Sequence, residues 1–250
     1  QFAAELVQNF KHFMEAPEAP DIALDSFGYM YLAENTVYAD QLLRNKQLQV
    51  SLGVGTKILS LEDIARYYPF YNLDDIILGS LNQKDEGYFD GAGIFSWWRN
   101  AAIQKGVVYL HDQVITLDCE KNKVIGVHLA SGDILEPGLV VNAAGPRAFE
   151  VAAMAGIDLP VEPRRRYSFM FTAQTSIEHE IPLTIDQSGV HFLRQGSFYL
   201  AGCKPDKDVA VAPDDFEMDN TIWQDKVWPA LAHRVPAFER AFSPPLDRGN

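Results

Sequence analysis

The sequence predicts a mixed α/β fold in which parallel and antiparallel sheet segments alternate along one chain. The apolar run Leu139–Val141 is typical of a buried parallel strand, and a helix-forming stretch follows it directly. In residues 113–135 and 163–203, short segments separated by turn residues are typical of antiparallel strands. This order predicts a chain that crosses more than once between a parallel α/β domain and a domain built on an antiparallel sheet.

The first half of the chain contains helices with recognisable ends. Asn35 is a favourable N-cap, Ser60 and Asp63 lie at the spacing of a capping box, and Asp90 is a further N-cap. The predicted helices are Phe2–Met14, about 36–50, about 61–68 and 91–105. The predicted strands are Ile22–Leu24, Gly28–Ala33 and Ile76–Leu81.

The second half contains most of the predicted strands, and Gly156 is the expected C-terminal cap of a helix. Asn122 and the segment 131–133 supply the turns of a small antiparallel meander. The predicted strands are Val107–Tyr109, Gln113–Glu120, Lys123–Ala130, Asp133–Leu135, Val140–Asn142, Pro163–Ala173, Leu183–Ile185, Val190–Arg194 and Phe198–Cys203. The predicted helices are Pro146–Ala155 and Thr221–His233.

Composition excludes several classes of function. The 250-residue chain has a net charge of −13, so nucleic acid and anionic membrane surfaces, which are polyanions, are poor partners. It has no apolar run long enough to span a membrane. Cys119 and Cys203 lie far apart outside any CxxC motif, which predicts a reducing compartment, and the histidines lack metal-ligand spacing, so we expect no metal site. The oligomeric state stays open.

The segment Asn142–Gly145 places small residues at the carboxyl end of a predicted parallel strand. Ligands bind at that edge of an open α/β sheet, and small residues let a ligand approach the backbone closely. The spacing alone is equally compatible with an ordinary strand, turn and helix that pack through small side chains.

Three segments give the sequence a more specific resemblance. Gly138–Arg166 is similar to the second nucleotide-contacting strand of the D-amino-acid-oxidase-like flavoenzymes, which include sarcosine oxidase, glycine oxidase and dimethylglycine dehydrogenase. Lys84–Asp90 and Ile222–Glu239 resemble the branch of FAD-dependent oxidoreductase domain-containing proteins. The resemblance covers most of the chain and implies FAD as the cofactor.

The resemblance also implies which residues contact FAD. Ala143, Ala144 and Gly145 correspond to the docking turn, and Val114 to a position whose backbone contacts the adenine. Val114 is equally compatible with a core valine. Many relatives carry Ala-Trp after the glycine where this chain has Pro146-Arg147, so Arg147 is either a phosphate contact or a solvated side chain.

The GxGxxG loop with which the family holds the FAD pyrophosphate does not occur in this sequence. The two GxG runs, Gly53–Gly55 and Gly91–Gly93, lack a strong apolar strand before them and are expected to be turns. We therefore expect the chain to be an internal fragment of a longer flavoprotein.

The candidate catalytic residues are His191 and Tyr199. Tyr199 lies near the place where sarcosine-oxidase relatives carry a substrate-side tyrosine, whereas His191 is also compatible with a core histidine. Because His191 and Arg194 are three residues apart, they point to opposite faces of a strand, and only one can line a cavity. Tyr199 could face either way, but the resemblance favours the flavin side, so replacing Tyr199 should affect catalysis more than replacing Arg194. Arg165, in a basic run, is expected to be structural.

The expected domains are a partial Rossmann-like FAD-binding domain (residues 1–20 and 82–158) interleaved with an antiparallel-sheet substrate domain (21–81 and 159–250). The resemblance implies an FAD-dependent oxidoreductase that takes a hydride from the carbon next to nitrogen in a small amine or amino acid, of the N-methyl or D-amino acid type. Two alternatives stay open: a non-catalytic assembly factor with the flavoprotein fold, and a ligand-binding module without flavin. The expected location is the cytoplasm, or the mitochondrion if the source is eukaryotic.

Overall fold

A computed structural model describes residues 2–242; Gln1 and residues 243–250, which the expected domains include, lie outside the described residues. The helices are α1 (Phe2–Gln8), α2 (Phe10–Phe13), α3 (Thr36–Ser51), α4 (Leu61–Tyr67), α5 (Gly91–Gln104), α6 (Ala148–Met154) and α7 (Trp228–Arg234). The strands are β1 (Leu24–Asp25), β2 (Tyr29–Ala33), β3 (Lys57–Leu59), β4 (Leu78–Asn82), β5 (Tyr88–Phe89), β6 (Val114–Glu120), β7 (Lys123–Leu129), β8 (Ile134–Leu135), β9 (Tyr167–Ala173), β10 (Leu183–Ile185), β11 (His191–Gln195), β12 (Phe198–Cys203) and β13 (Ala241–Phe242).

The chain divides into two compact units, and it passes between them more than once. The larger unit comprises residues up to 100, residues 166–205 and residues from 218 onward. The smaller unit comprises 101–165 and 206–217. The fold is therefore mixed α/β with interleaved units, and the assignment of a flavin role to particular ranges stays a prediction.

The larger unit is built on a sheet of eight strands in the order β13-β9-β12-β11-β10-β2-β4-β3. Its neighbours are antiparallel except for β10 and β2, which are parallel. The predicted antiparallel pairing of the 163–173 and 190–203 segments is confirmed, because β12 pairs with both β9 and β11.

The two faces of this sheet differ in burial. One, the core face, packs against α7 and the turn after it, and its buried side chains include Met30, Tyr167, Phe169, Phe171, Phe192, Tyr199 and Ala201. The opposite one, the outer face, carries Tyr29, Tyr31, Met170, His191, Leu193 and Leu200. The strict alternation along each strand gives every residue a fixed face once the register is set.

The predicted caps are present. The Asn35 side chain accepts a hydrogen bond from the Tyr38 N–H at the start of α3. Ser60 and Asp63 form a reciprocal capping box at the start of α4, and Asp90 accepts from the Gly93 N–H at the start of α5. Because these hydrogen bonds join residues three apart, the starts of the helices can be predicted from the sequence.

The smaller unit contains the antiparallel meander β6-β7-β8. Helix α6 packs on the meander through Val151 and Met154, which contact a small core of Leu117, Val127 and Leu129. Gly156 ends α6 with a positive φ of 73°, as a C-terminal cap requires.

Two predicted strands are wrong in this structure. Val107–Tyr109 and Val140–Asn142 have no strand pairing, and no described segment forms a hydrogen-bonded ladder with either of them. Leu139 is 82% and Val141 78% exposed, whereas an interior parallel strand would bury both. An apolar run becomes a strand only when a neighbouring strand satisfies its backbone groups, and none lies beside these segments among residues 2–242.

The last predicted helix, Thr221–His233, is not a regular α-helix along its whole length. A π-helical turn, Trp223–Val227, precedes α7. Pro229 has no N–H to donate to the carbonyl four residues earlier, so a regular α-helical ladder is interrupted at this place. Among the described residues, no helix is long and apolar enough to cross a membrane.

Candidate functional site

The turn that precedes α6 is the first candidate region. The Asn142 side chain holds it from both directions, since Nδ2 donates to the Ala148 carbonyl at 2.8 Å and Oδ1 accepts from the Ala144 N–H at 3.2 Å. A short 3₁₀ turn, Gly145–Arg147, then leads into α6. The turn is thus ordered by one side chain, although the apolar run before it forms no strand.

Gly145 gives this turn its shape. Its φ is +55°, in the left-handed region that other residues avoid, and a Cβ placed there would meet no atom within 4 Å. Ala143 and Ala144 are exposed beside it. The predicted docking residues therefore lie together at the surface of the smaller unit, with accessible backbone and little side-chain bulk.

Val114 lies at the start of β6 and packs against the core of the smaller unit. The ladder shifts register between Val114 and Thr116, so the strand begins with an irregularity. The side chain of Val114 is thus a packing residue, while its predicted backbone contact with the cofactor stays a prediction.

The basic residues near this region are paired with acids. Arg147 forms an ion pair with Glu150 at 3.0 Å. Arg164 pairs with Glu162 and Asp208, and Arg165 pairs with Asp215. The hydrogen bond from Arg165 also lowers the pKa of Asp215. Arg165 is thus paired with an acid, which is compatible with the structural role expected for it, and that role stays a prediction.

His191 is on the outer face of the large sheet, in the other unit. Its ring lies over Gly202 on β12, where an added Cβ would come within 2.5 Å of Nε2. Burial lowers the pKa of His191, which favours the neutral imidazole. A neutral imidazole has a ring nitrogen that can accept a proton.

Tyr199 is on the core face, opposite to His191. It is only 3% exposed, it stacks on Phe171 at 5.3 Å between ring centroids, and it packs edge-to-face with Phe238 at 4.8 Å between ring centroids. Its hydroxyl accepts a hydrogen bond from the Ile177 N–H at 3.2 Å.

The two predicted catalytic residues therefore do not share a cavity wall. Arg194 is on the same face as Tyr199, so the prediction that His191 and Arg194 point to opposite faces is confirmed. The register places the Tyr199 ring in the core of the larger unit. Whether either residue takes part in catalysis stays a prediction.

Comparison with known protein families shows the family to which the chain belongs. The sequence matches the family described as FAD dependent oxidoreductase over residues 1–246. The chain belongs to this family. FAD is the cofactor of the FAD-dependent oxidoreductases, as the sequence predicted.

Several curated proteins are similar to this member of the FAD-dependent oxidoreductase family. The FAD-dependent oxidoreductase domain-containing protein 1 of Xenopus laevis is 29% identical over 274 residues, which cover 95% of this chain and 54% of that protein. Human mitochondrial sarcosine dehydrogenase is 29% identical over 182 residues, which cover 70% of this chain and 20% of that protein. The chain thus spans about half the length of the first relative.

Solved structures share the fold at low sequence identity. L-proline dehydrogenase from P. horikoshii superposes with a TM-score of 0.76 at 20% identity, over 98% of this chain and 63% of that one. Glycine oxidase from Geobacillus kaustophilus superposes with a TM-score of 0.73 at 17% identity, over 98% and 64%. The mixed α/β fold is therefore that of the amino-acid oxidases.

In this FAD-dependent oxidoreductase family member, the turn Ala143–Gly145 leaves room for a group to approach the backbone, and its role in holding FAD stays a prediction. The side chains there are small, the backbone is exposed and the Gly145 position is open. Of the described residues, no group of three or more His, Cys, Asp and Glu side chains is arranged to hold a metal ion.

A buried guanidinium in the larger unit was not predicted from the sequence. Arg234 is fully buried on α7 and forms ion pairs with Asp75 at 2.8 Å, Asp186 at 2.8 Å and Glu34 at 3.3 Å. The hydrogen bond from Arg234 lowers the pKa of Asp75 to about 2, while burial and the neighbouring carboxylates raise the pKa of Glu34. These residues are far apart in sequence, so no local pattern indicates the cluster.

Proposed function

We propose that the protein oxidises the C–N bond of a small amine or amino acid by hydride transfer to FAD. The observation that carries this proposal is the outer face of the large sheet, where His191 lies half-buried on a face that also carries Leu193, Leu200 and Met170, and where burial lowers its pKa. Family membership supplies the cofactor, and the sarcosine and dimethylglycine dehydrogenase relatives support an N-methyl amine or amino acid as the substrate class.

Under this proposal, the two units contribute different residues. Ala143, Ala144 and Gly145 would hold the cofactor through exposed backbone, together with the backbone of Val114. When bound, FAD supplies a two-electron acceptor for the hydride. His191 accepts the proton of the substrate ammonium, so that the nitrogen lone pair assists departure of the hydride from the neighbouring carbon. The product is an imine, which water hydrolyses to an amine and a carbonyl compound.

Flavin reduction in the full-length protein tests this proposal. The protein is mixed without oxygen with sarcosine, dimethylglycine, glycine, L-proline and D-alanine in turn, and the flavin absorbance is followed. We expect bleaching with at least one of them, and slower bleaching with His191→Gln at unchanged flavin content. A His191→Gln variant that bleaches as fast as the wild type, at every pH, contradicts the role of His191.

The alternative is a non-catalytic assembly or interaction factor that keeps the flavoprotein fold. It predicts a full-length protein that binds FAD and stays yellow with every amine and amino acid tried. A full-length protein without any flavin absorbance would instead support a ligand-binding module. The mitochondrial name of the sarcosine dehydrogenase relatives favours a mitochondrial location if the source is eukaryotic, which cell fractionation tests.

A further inference from the structure

A serine on the outer face of the large sheet lies two strands away from His191. On β9, β12 and β11, the residues Ser168, Gly202 and His191 are direct partners in register, so they form one row across the sheet. Residues that are paired in this way point to the same face. Because the middle residue of the row is a glycine, no side chain separates Ser168 from His191.

The imidazole of His191 extends over this glycine towards Ser168. A Cβ built on Gly202 would lie 2.5 Å from Nε2 and 2.7 Å from Cε1 of His191. Cβ atoms of directly opposite residues are about 4.5–5.5 Å apart, so Nε2 of His191 lies within about 8 Å of the Ser168 Cβ. Two acceptors that bind the same nitrogen atom are about 5 Å apart, a separation that this row accommodates.

Both polar groups of the row can accept a hydrogen bond from a ligand. No described residue forms a hydrogen bond with the Ser168 hydroxyl or with a ring nitrogen of His191. Ser168 is exposed and His191 is half-buried. Burial lowers the pKa of His191, which favours the neutral ring with one accepting nitrogen. The row therefore presents a hydroxyl oxygen and an imidazole nitrogen to the same space above Gly202.

The adjacent row on the outer face is apolar. It consists of Met170, Leu200 and Leu193, which are direct partners across the same three strands. Met170 is 37% exposed, and the two leucines are half-buried. Aliphatic side chains beside two hydrogen-bond acceptors suit a ligand that has N–H groups at one end and carbon substituents at the other.

We propose that the Ser168 hydroxyl and His191 Nε2 hold the substrate nitrogen between them as a nitrogen clamp, each accepting one of its N–H groups. The carbon substituents then lie on the apolar row. A protonated secondary amine has two N–H groups and satisfies both acceptors, whereas a protonated tertiary amine has only one. The nitrogen clamp therefore selects N-monomethyl over N,N-dimethyl substrates. This inference deepens the proposed function and rests on it for the class of ligand.

Two isomeric cations test the nitrogen clamp by binding alone. The tert-butylammonium ion has three N–H groups and no hydrogen on the carbon next to nitrogen, whereas the tetramethylammonium ion has neither an N–H group nor a nitrogen lone pair. Neither ion can undergo the proposed oxidation, so calorimetry on the full-length, flavin-containing protein measures a Kd without turnover. We expect tert-butylammonium to bind at least about tenfold more tightly than tetramethylammonium, because only the former donates hydrogen bonds.

Three variants on β9 separate a ligand contact from a structural role. Ser168→Ala should weaken tert-butylammonium binding roughly tenfold, leave tetramethylammonium binding unchanged and keep the wild-type Tm. Ser168→Thr keeps a hydroxyl and should bind both ions as the wild type does. The matched control is Thr172→Val, which removes an exposed hydroxyl from the same face of the same strand and should change neither Kd. A Tm of Ser168→Ala that falls together with the affinity would assign the hydroxyl to the structure instead.

Flavin reduction tests the selectivity and separates the two proposals. Ser168→Ala should lower kcat/KM for sarcosine, a secondary amine, roughly tenfold, and for dimethylglycine, a tertiary amine, by less than about twofold. If no amine bleaches the flavin, the proposed function fails, while tert-butylammonium binding that depends on Ser168 still supports the nitrogen clamp. The nitrogen clamp is overturned if tert-butylammonium does not bind at high millimolar concentration, or if Ser168→Ala binds it as tightly as the wild type does. Bleaching by an amine would then leave the proposed oxidation standing.

Discussion

Arg194 and Tyr199 lie directly opposite each other on β11 and β12, and their side chains hydrogen-bond to the two backbone groups of Ile177. The Ile177 N–H donates to the Tyr199 hydroxyl at 3.2 Å, and the Ile177 carbonyl accepts from Arg194 Nη1 at 2.7 Å. The Arg194 guanidinium also lies 5.9 Å from the centroid of the Tyr199 ring. The two side chains therefore anchor the segment around Ile177 to the core face of the sheet.

This arrangement gives an expected outcome for Tyr199→Phe. The variant leaves the buried Ile177 N–H without an acceptor, so we expect the free energy of unfolding to fall by about 1–3 kcal/mol. Arg194→Ala removes the partner of the Ile177 carbonyl and should destabilise the protein by a similar amount. Urea unfolding measures both. If Tyr199→Phe keeps wild-type stability but lowers kcat/KM more than Arg194→Ala does, the hydroxyl contacts the substrate, as the resemblance implied.

Gly202 and His191 should be energetically coupled. A Cβ at Gly202 would come within 2.5 Å of His191 Nε2 and 3.1 Å of the Tyr167 carbonyl, so we expect Gly202→Ala to destabilise by about 1–3 kcal/mol. Removing the ring with His191→Ala should recover most of this loss, giving a coupling energy of at least about 0.5 kcal/mol in a double-mutant cycle. Gly138→Ala, where a Cβ meets open space, is the control. Additive effects of Gly202→Ala and His191→Ala would mean that the ring does not rest on Gly202.

Gly145→Val should lower the flavin content of the full-length protein. A β-branched residue at a φ of +55° costs about 1–2 kcal/mol, and its bulk occupies the space that a docking group needs. The matched control is Gly132→Val in the same unit, where φ is +96° and the Cβ position is also open, but the turn lies in the meander. We expect both variants to lose similar stability and only Gly145→Val to lose FAD, measured as the ratio of flavin to protein absorbance. Full FAD occupancy in folded Gly145→Val excludes this turn as the docking site.

Arg234→Met should be severely destabilising. The carboxylates of Asp75 and Asp186 would lose their hydrogen-bonded cation, and breaking a buried ion cluster from one side costs about 3–5 kcal/mol. Arg147→Met, which removes an exposed ion pair, should cost no more than about 1 kcal/mol. Thermal and urea unfolding compare the two variants. Equal small losses would show that the Arg234 cluster contributes specificity rather than stability.

The same cluster predicts a specific acid response. The pKa of Asp75 is about 2 in the folded protein, below its value of about 3.9 in an unfolded chain, so its stabilising effect is complete above pH 3.9 and is lost as the pH falls through 2. Asp75→Asn should therefore be less stable than the wild type at neutral pH, and this deficit should shrink on acidification through that window. Urea unfolding at a series of pH values checks it. A deficit that stays constant down to pH 2 would show that Asp75 does not titrate with a lowered pKa.

The helix starts at Asn35 and Ser60 were predictable because the capping side chain and the N–H that it satisfies are three residues apart. The pairing of β9, β11 and β12 followed from alternation and short turns, which are also local. The small residues of Ala143–Gly145 were recognisable for the same reason, since they are consecutive in the sequence, although the parallel strand predicted before them does not form.

The sequence by itself therefore determined the helix ends, the antiparallel segments, the family and its cofactor. Only the tertiary structure decided that Tyr199 faces the core and His191 the outer face, because a shift of one residue in register would exchange them. It also decided that Leu139–Val141 stays unpaired and that Glu34, Asp75 and Asp186 meet on Arg234. Strand pairs and buried ion clusters bring together residues that are distant along the chain. Their contribution to stability depends on tertiary packing, which a local sequence pattern does not indicate.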